Sequence, residues 1–223
     1  MNRFYIDETQ NKTTPNGKVS LSIAFTPPPT HTTHNIVNQQ VTADDNFHWF
    51  PMRVTYHREL RIKEMLDELG IENFLPMHYE LVETKTQGKK RMLLPAIHNL
   101  IFVRSTQEYL TNLKMTREEF APMRYIMKHP LSKDEKSEII LVPDWQMNNF
   151  MRVASVQDDR VMFLDSNEFI NKVGHRVRVI DGYFSGVEGV IKRINKNKRV
   201  VVQLEGLAAV AIAFIPASQL SII

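Results

Sequence analysis

The sequence predicts an α+β domain followed by a small all-β domain. Three observations carry that expectation. Between residues 47 and 153, strand-like runs alternate with stretches whose apolar residues recur at helical spacing. After Gly174 only short β-branched runs separated by turn residues remain. The apolar fraction of 43% over 223 residues supplies packed cores for one large or two small domains.

Residues 1–46 are rich in Thr, Pro, Asn and Gln, contain Pro27-Pro28-Pro29 and read as a poorly ordered tail. Residues 19–25 alternate well enough for a short strand if a sheet edge receives them. At Phe47 the pattern changes, and residues 49–54, short and aromatic, predict a strand. Ile62, Met65, Leu66 and Leu69 fall on one face of a helix over 57–69. Glu59 and Lys63 form an outer i,i+4 pair, and Gly70 stands where a C-terminal cap belongs.

Residues 74–82 and 92–103 predict two strands joined by the polar turn 86–90. Ser105 and Glu108 have capping-box spacing for a second helix carrying Tyr109, Leu110 and Leu113. Residues 123–127 read as a strand, and Pro143 opens a third helix with Met147, Phe150 and Met151. The order β-α-β-β-α-β-α predicts a mostly antiparallel sheet with helices on one face. A linker is expected within 154–170. Strands over 176–180, 187–194, 199–204, 210–215 and 220–223 then suit a small closed barrel over 171–223, because closure removes exposed edges.

There is no cysteine, which excludes disulfides, thiolate nucleophiles and cysteine-ligated zinc. No signal peptide or membrane-length apolar run is visible, so a soluble cytoplasmic protein without membrane attachment is expected. The net charge is +3. The last 53 residues hold eight Lys/Arg against three Asp/Glu, so the positive charge collects there, which suits a nucleic acid or an acidic protein face.

Catalysis needs a nucleophile with a base, paired carboxylates or a metal cluster. The eight histidines are scattered singly, His31 and His34 lack a third ligand nearby, and Asp158-Asp159 has no partner. No enzyme activity, metal or cofactor is expected. Gly182, Gly186 and Gly189 have neither the spacing nor the following helix of a dinucleotide-binding loop, and no Walker Gly-Lys-Ser/Thr is present.

Residues 177–191, from Val177-Arg178-Val179 through Asp181-Gly182-Tyr183-Phe184-Ser185-Gly186-Val187-Glu188-Gly189 to Val190-Ile191, resemble a KOW motif. Physically this is strand, tight turn and strand. Gly182 and Gly186 free the turn, Phe184 plugs the barrel end and Gly189 lets strands cross closely. Upstream, His48-Trp49-Phe50 and the helix at Arg58 resemble the opening of the N-terminal domain of NusG transcription elongation factors. Residues 95–103 are similar to the family's Pro-x-Phe-Pro-Gly-Tyr-x-Phe-Val segment. Pro95, Phe102 and Val103 fit, Asn99 stands where the RfaH branch carries Asn, and His98 and Leu100 depart from the usual Pro and Tyr. Residues 143–150 together with Leu204-Glu205-Gly206-Leu207 look most like the UpxY branch, specialised paralogues tied to capsular polysaccharide operons. The resemblance covers about residues 48–223.

It implies a NusG-type α+β domain over 47–153 and an SH3-like KOW barrel. It further implies binding without chemistry, by a monomer that grips the clamp coiled coil of RNA polymerase in an apolar concavity and suppresses pausing. By position, Ile97, Leu100 and Phe102, with Tyr56 at the edge, are candidates for that surface, and ordinary core is the alternative for Ile97 and Phe102. Arg53, His57, Arg58 and Arg61 gather where a non-template DNA strand would pass; a solvated helix face is the alternative for Arg58 and Arg61. Lys89, Lys90 and Arg91 are a weaker nucleic-acid candidate on a hairpin tip. The barrel would recruit a ribosomal protein or termination factor, with residues 210–214 as its partner surface or simply its core. Dense β-branched residues argue against refolding of the barrel into helices. A ribosome-associated RNA-binding KOW protein is the rival reading; it leaves the α+β domain unexplained and would carry a higher charge.

Overall fold

A computed structural model describes residues 46–84, 88–128, 136–157, 160–164, 174–194, 197–204, 206–213 and 215–223. The expected tail with His31 and His34, and the Asp158-Asp159 pair, lie outside the described residues. Every described residue belongs to one unit, Ala43–Ile223.

The chain opens with strand β1 (His48–Val54) and helix α1 (Glu59–Glu68), followed by β2 (Asn73–Phe74), β3 (Met77–Thr84), β4 (Gly88–Pro95) and β5 (Leu100–Ser105). Helix α2 (Gln107–Thr116), a 3-10 turn at Glu118–Phe120, β6 (Met123–Tyr125), β7 (Met127–Lys128), β8 (Glu138–Ile139) and α3 (Asp144–Ala154) complete the α+β part. Strands pair antiparallel in the order β2-β5-β1-β6, with Phe50 opposite Val103 and Met52 opposite Ile101.

Strand alternation sends these side chains to opposite faces. Phe50, Met52, Val54, Ile101 and Val103 pack with Ile62 and Leu66 of α1 and Leu110 and Leu113 of α2. On the other face, Trp49, Leu100 and Phe102 pack with Met147, Phe150 and Val153 of α3. Helices were expected on one face only; both faces are in fact covered, because Met147, Phe150 and Val153 repeat at i, i+3 and i+6 and make α3 apolar toward the sheet.

Local geometry explains the other departures. The strand expected over 92–103 breaks into β4 and β5 because Asn99 turns through a left-handed conformation, φ +59°. Ser105 ends β5 buried, so it cannot cap α2; Thr106 does, its hydroxyl accepting the Tyr109 N–H at 3.2 Å. The outer i,i+4 pair of α1 is Lys63–Asp67 at 2.6 Å, and Glu59 is buried.

The second half is a six-stranded antiparallel sheet in the order β14-β10-β11-β12-β13-β9, built from β9 (Val161–Leu164), β10 (Arg176–Val179), β11 (Glu188–Ile194), β12 (Asn197–Leu204), β13 (Ala208–Ile212) and β14 (Leu220–Ile222). Five strands and a closed barrel were expected. The sixth strand, β9, comes from the stretch assigned to the linker and pairs along β13, Phe163 opposite Val210. That pairing places β13 inside the sheet, and its Val210, Ala211 and Ile212 are buried. Among the described residues no pairing joins β14 to β9 to close the sheet.

The halves share a core. Val179, Phe184, Val187, Val202, Leu204, Ala208, Val210 and Ile212 fall in one apolar cluster with Trp49, Phe102 and the buried face of α3, which contacts β1, β9, β12 and β13.

Candidate functional site

Two neighbouring features hold Tyr56, His57, Arg58 and Ile97 of the sequence-predicted residues: the corner between β1 and α1, and the loop from 96 to 99 that links β4 to β5. The corner is tight because Tyr56 and His57 both adopt left-handed backbone, φ +65° and +51°, conformations uncommon outside glycine. Tyr56 is therefore pushed outward, 80% exposed, with the Arg58 guanidinium 5.6 Å from its ring centroid. The loop is held against this corner by two backbone groups of Asn99. Its carbonyl accepts the Val54 N–H at 3.1 Å, and its N–H donates to Glu59 Oε1 at 2.5 Å. Asn99 and its loop bring His98 beside His57, ring centroids 5.8 Å apart and nearly perpendicular.

The apolar candidates divide. Ile97 is half-buried at the edge of the shared core. Leu100 was the stronger surface candidate, yet it is only 5% exposed, and Phe102 is fully buried with its ring 5.8 Å from that of Phe150. Both are covered because β5 presents them to the face that α3 and the second sheet close. Ile97, His98, Asn99 and Leu100 instead line a cleft of about 700 Å³ with Arg53, which pairs opposite Leu100. The facing wall is Phe163, Leu164, Gly206, Leu207 and Ala208, all from the second half.

The basic candidates do not form one patch. Arg53 opens into the cleft, whereas Arg58 and Arg61 line a separate hollow with Ile62, Met65, Glu118 and Glu119. Two carboxylates offset the two guanidiniums there, which weakens that hollow's attraction for phosphate. Lys89, Lys90 and Arg91 are exposed along β4, with Arg91 4.4 Å over the Tyr79 ring.

In the second half, Gly182 and Gly186 have φ of +82° and +86°. Phe184 lies in the shared core beside Val187. A Cβ on Gly186 would stand 3.2 Å from the Arg152 guanidinium of α3, and one on Gly189 would stand 2.7 Å from the Val201 carbonyl oxygen. The Glu188 N–H meets Asn149 Oδ1 of α3 at 3.4 Å, so the β10–β11 turn sits against α3.

Residues 47–151 match the NusG family model, described as transcription termination factor nusG. That stretch is similar to a NusG domain. Its match covers β1 through most of α3 and thus the corner, the 96–99 loop and one wall of the cleft. No curated protein matches the chain. No helix among the described residues is long and apolar enough to cross a membrane.

Sequence reasoning missed the meeting of His57 with His98 and Glu59. Single histidines far apart carry no spacing signal, and only the left-handed turns at 56–57 and 99 bring them together.

Proposed function

We propose that the chain is a transcription elongation and antitermination factor of the specialised, UpxY-like kind, which binds RNA polymerase through its NusG domain and acts on particular operons, those of capsular polysaccharide among them. It works by binding, without catalysis, and as a monomer. The observation that carries the reading is the NusG match over 47–151, joined to the cleft whose near wall holds the apolar side chains Ile97 and Leu100 beside Arg53, His98 and Asn99. A coiled-coil tip fits such a groove through a few apolar anchors. Tyr56 extends the surface outward, and Arg53 and His57 lie where charge would meet the non-template strand. The second half, read as a KOW domain from residues 177–191, recruits a further partner such as a ribosomal protein or termination factor.

Leu100 lines the cleft wall opposite the second half, and Phe102 lies under Phe150 of α3, so this mechanism requires the second half to move off before polymerase docks against Leu100. Binding of the full chain to the host polymerase tests it. Ile97→Asp, at the edge of the core, should lower affinity at least tenfold. Leu207→Asp on the opposite wall should raise it, because a charge there loosens the cover without touching the NusG face. Absence of polymerase binding by all three folded proteins would remove the mechanism.

A further inference from the structure

We propose that His57, Glu59 and His98 form a binding site for a divalent first-row transition ion, zinc in the first instance. The inference stands apart from the polymerase reading and uses none of it.

Each of the three residues offers a ligand atom, and these atoms lie within 4.8 Å of one another. Ligands about 2.0–2.1 Å from a tetrahedral zinc stand roughly 3.4 Å apart. The gap is about one side-chain rotation, and both imidazoles are exposed and free to make it. Two imidazoles and a carboxylate suit zinc, cobalt, nickel or copper, and suit magnesium or calcium poorly.

Glu59 supplies the second argument. It is 2% exposed and accepts one N–H, from Asn99. It makes no ion pair with Lys or Arg among the described residues. A buried carboxylate is costly without a compensating cation. A metal beside His57 and His98 would provide one, while the Asn99 N–H fixes the carboxylate's orientation as outer-shell donors do for metal ligands. The site would also link the two left-handed turns, at Tyr56–His57 and at Asn99, across a single ion. Three protein ligands leave a fourth position for water or for a donor from a partner.

The full chain, prepared without a polyhistidine tag and stripped of metal, is titrated with Zn2+ against a chromophoric chelator, and separately with Co2+. Wild type should take up one Zn2+ in this site with micromolar or tighter affinity. With Co2+ it should show visible absorption of a four-coordinate complex without thiolate bands. The double variant His57→Ala/His98→Ala removes two exposed side chains and should keep its circular dichroism while losing affinity roughly a hundredfold or more. Glu59→Gln preserves an acceptor for Asn99 and should lose at least tenfold. No micromolar Zn2+ binding by folded wild type would overturn the proposal. So would undiminished binding by the double variant, which would assign the ion to other histidines.

Discussion

The two faces of the β2-β5-β1-β6 sheet are equally buried but closed by different means. One is covered by α1 and α2, whose residues lie within the same family-matched segment. The other is covered by α3 and by strands that lie outside the family match. Neighbouring residues of one strand therefore have different dependencies: Ile101 is buried from within the matched segment alone, while Leu100 and Phe102 share a cluster with α3, most of which lies inside the match, and with strands beyond it. Burial alone does not distinguish a permanent core from a surface with a cover on it. The origin of the covering residues does.

The largest expected effects break the two faces separately. Phe50→Ala and Phe150→Ala should each cost about 3–5 kcal/mol in a denaturant titration. They should differ in hydrogen exchange. Phe50→Ala should loosen β1, β5, α1 and α2, whereas Phe150→Ala should also expose the amides of β12 and β13, which share its cluster. Equal exchange patterns would mean that the faces are not distinct.

A smaller effect confined to the second half sharpens the contrast. Gly189→Ala places a methyl group against the Val201 carbonyl, backbone that cannot swing aside, and should cost about 1–3 kcal/mol with β11 and β12 most affected. If polymerase requires the NusG face uncovered, this variant should not weaken binding even though it weakens the protein.

The smallest effect is electrostatic and lies on the helix-covered side. Burial pulls the Asp67 carboxyl up, but hydrogen bonds from Lys63 and Asn73 and the lysine charge outweigh it and hold it below its ordinary value. A carboxylate depressed in the folded state adds stability that is fully present above its unfolded titration range and is lost as pH falls through its folded one. Asp67→Asn should flatten the acid limb of the stability-versus-pH curve slightly and leave neutral pH nearly unchanged, since exposed pairs contribute little.

Much of the α+β half was legible because its apolar residues recur at clear spacings. Ile62 and Leu66 give α1, and Met147 and Phe150 give α3. The break between β4 and β5 was hidden because apolar content continues from Leu94 through Ile97 to Val103 while Asn99 alone carries the turn. Strand β9 was hidden for the opposite reason: four residues in a polar neighbourhood look like linker until β13 pairs with them. The candidate site was legible in part. Its residue types and rough location, around 53–61 and 97–102, could be read from the chain. That Leu100 and Phe102 lie under α3 and the second half could not, since periodicity says which side of a strand is apolar and not what lies across from it. The histidine pair was invisible for the same reason.

Helix α3 has a consequence for how such chains recombine. The family match ends at residue 151, inside the helix, yet Val153 and Ala154 are still buried in the core that both halves use. A genetic crossover at the family boundary would cut a helix whose apolar side packs on both the matched segment and the strands that follow it. A transferable block runs past the end of α3, and grafting a foreign C-terminal half onto this domain demands a matching set of apolar side chains for Met147, Phe150 and Val153.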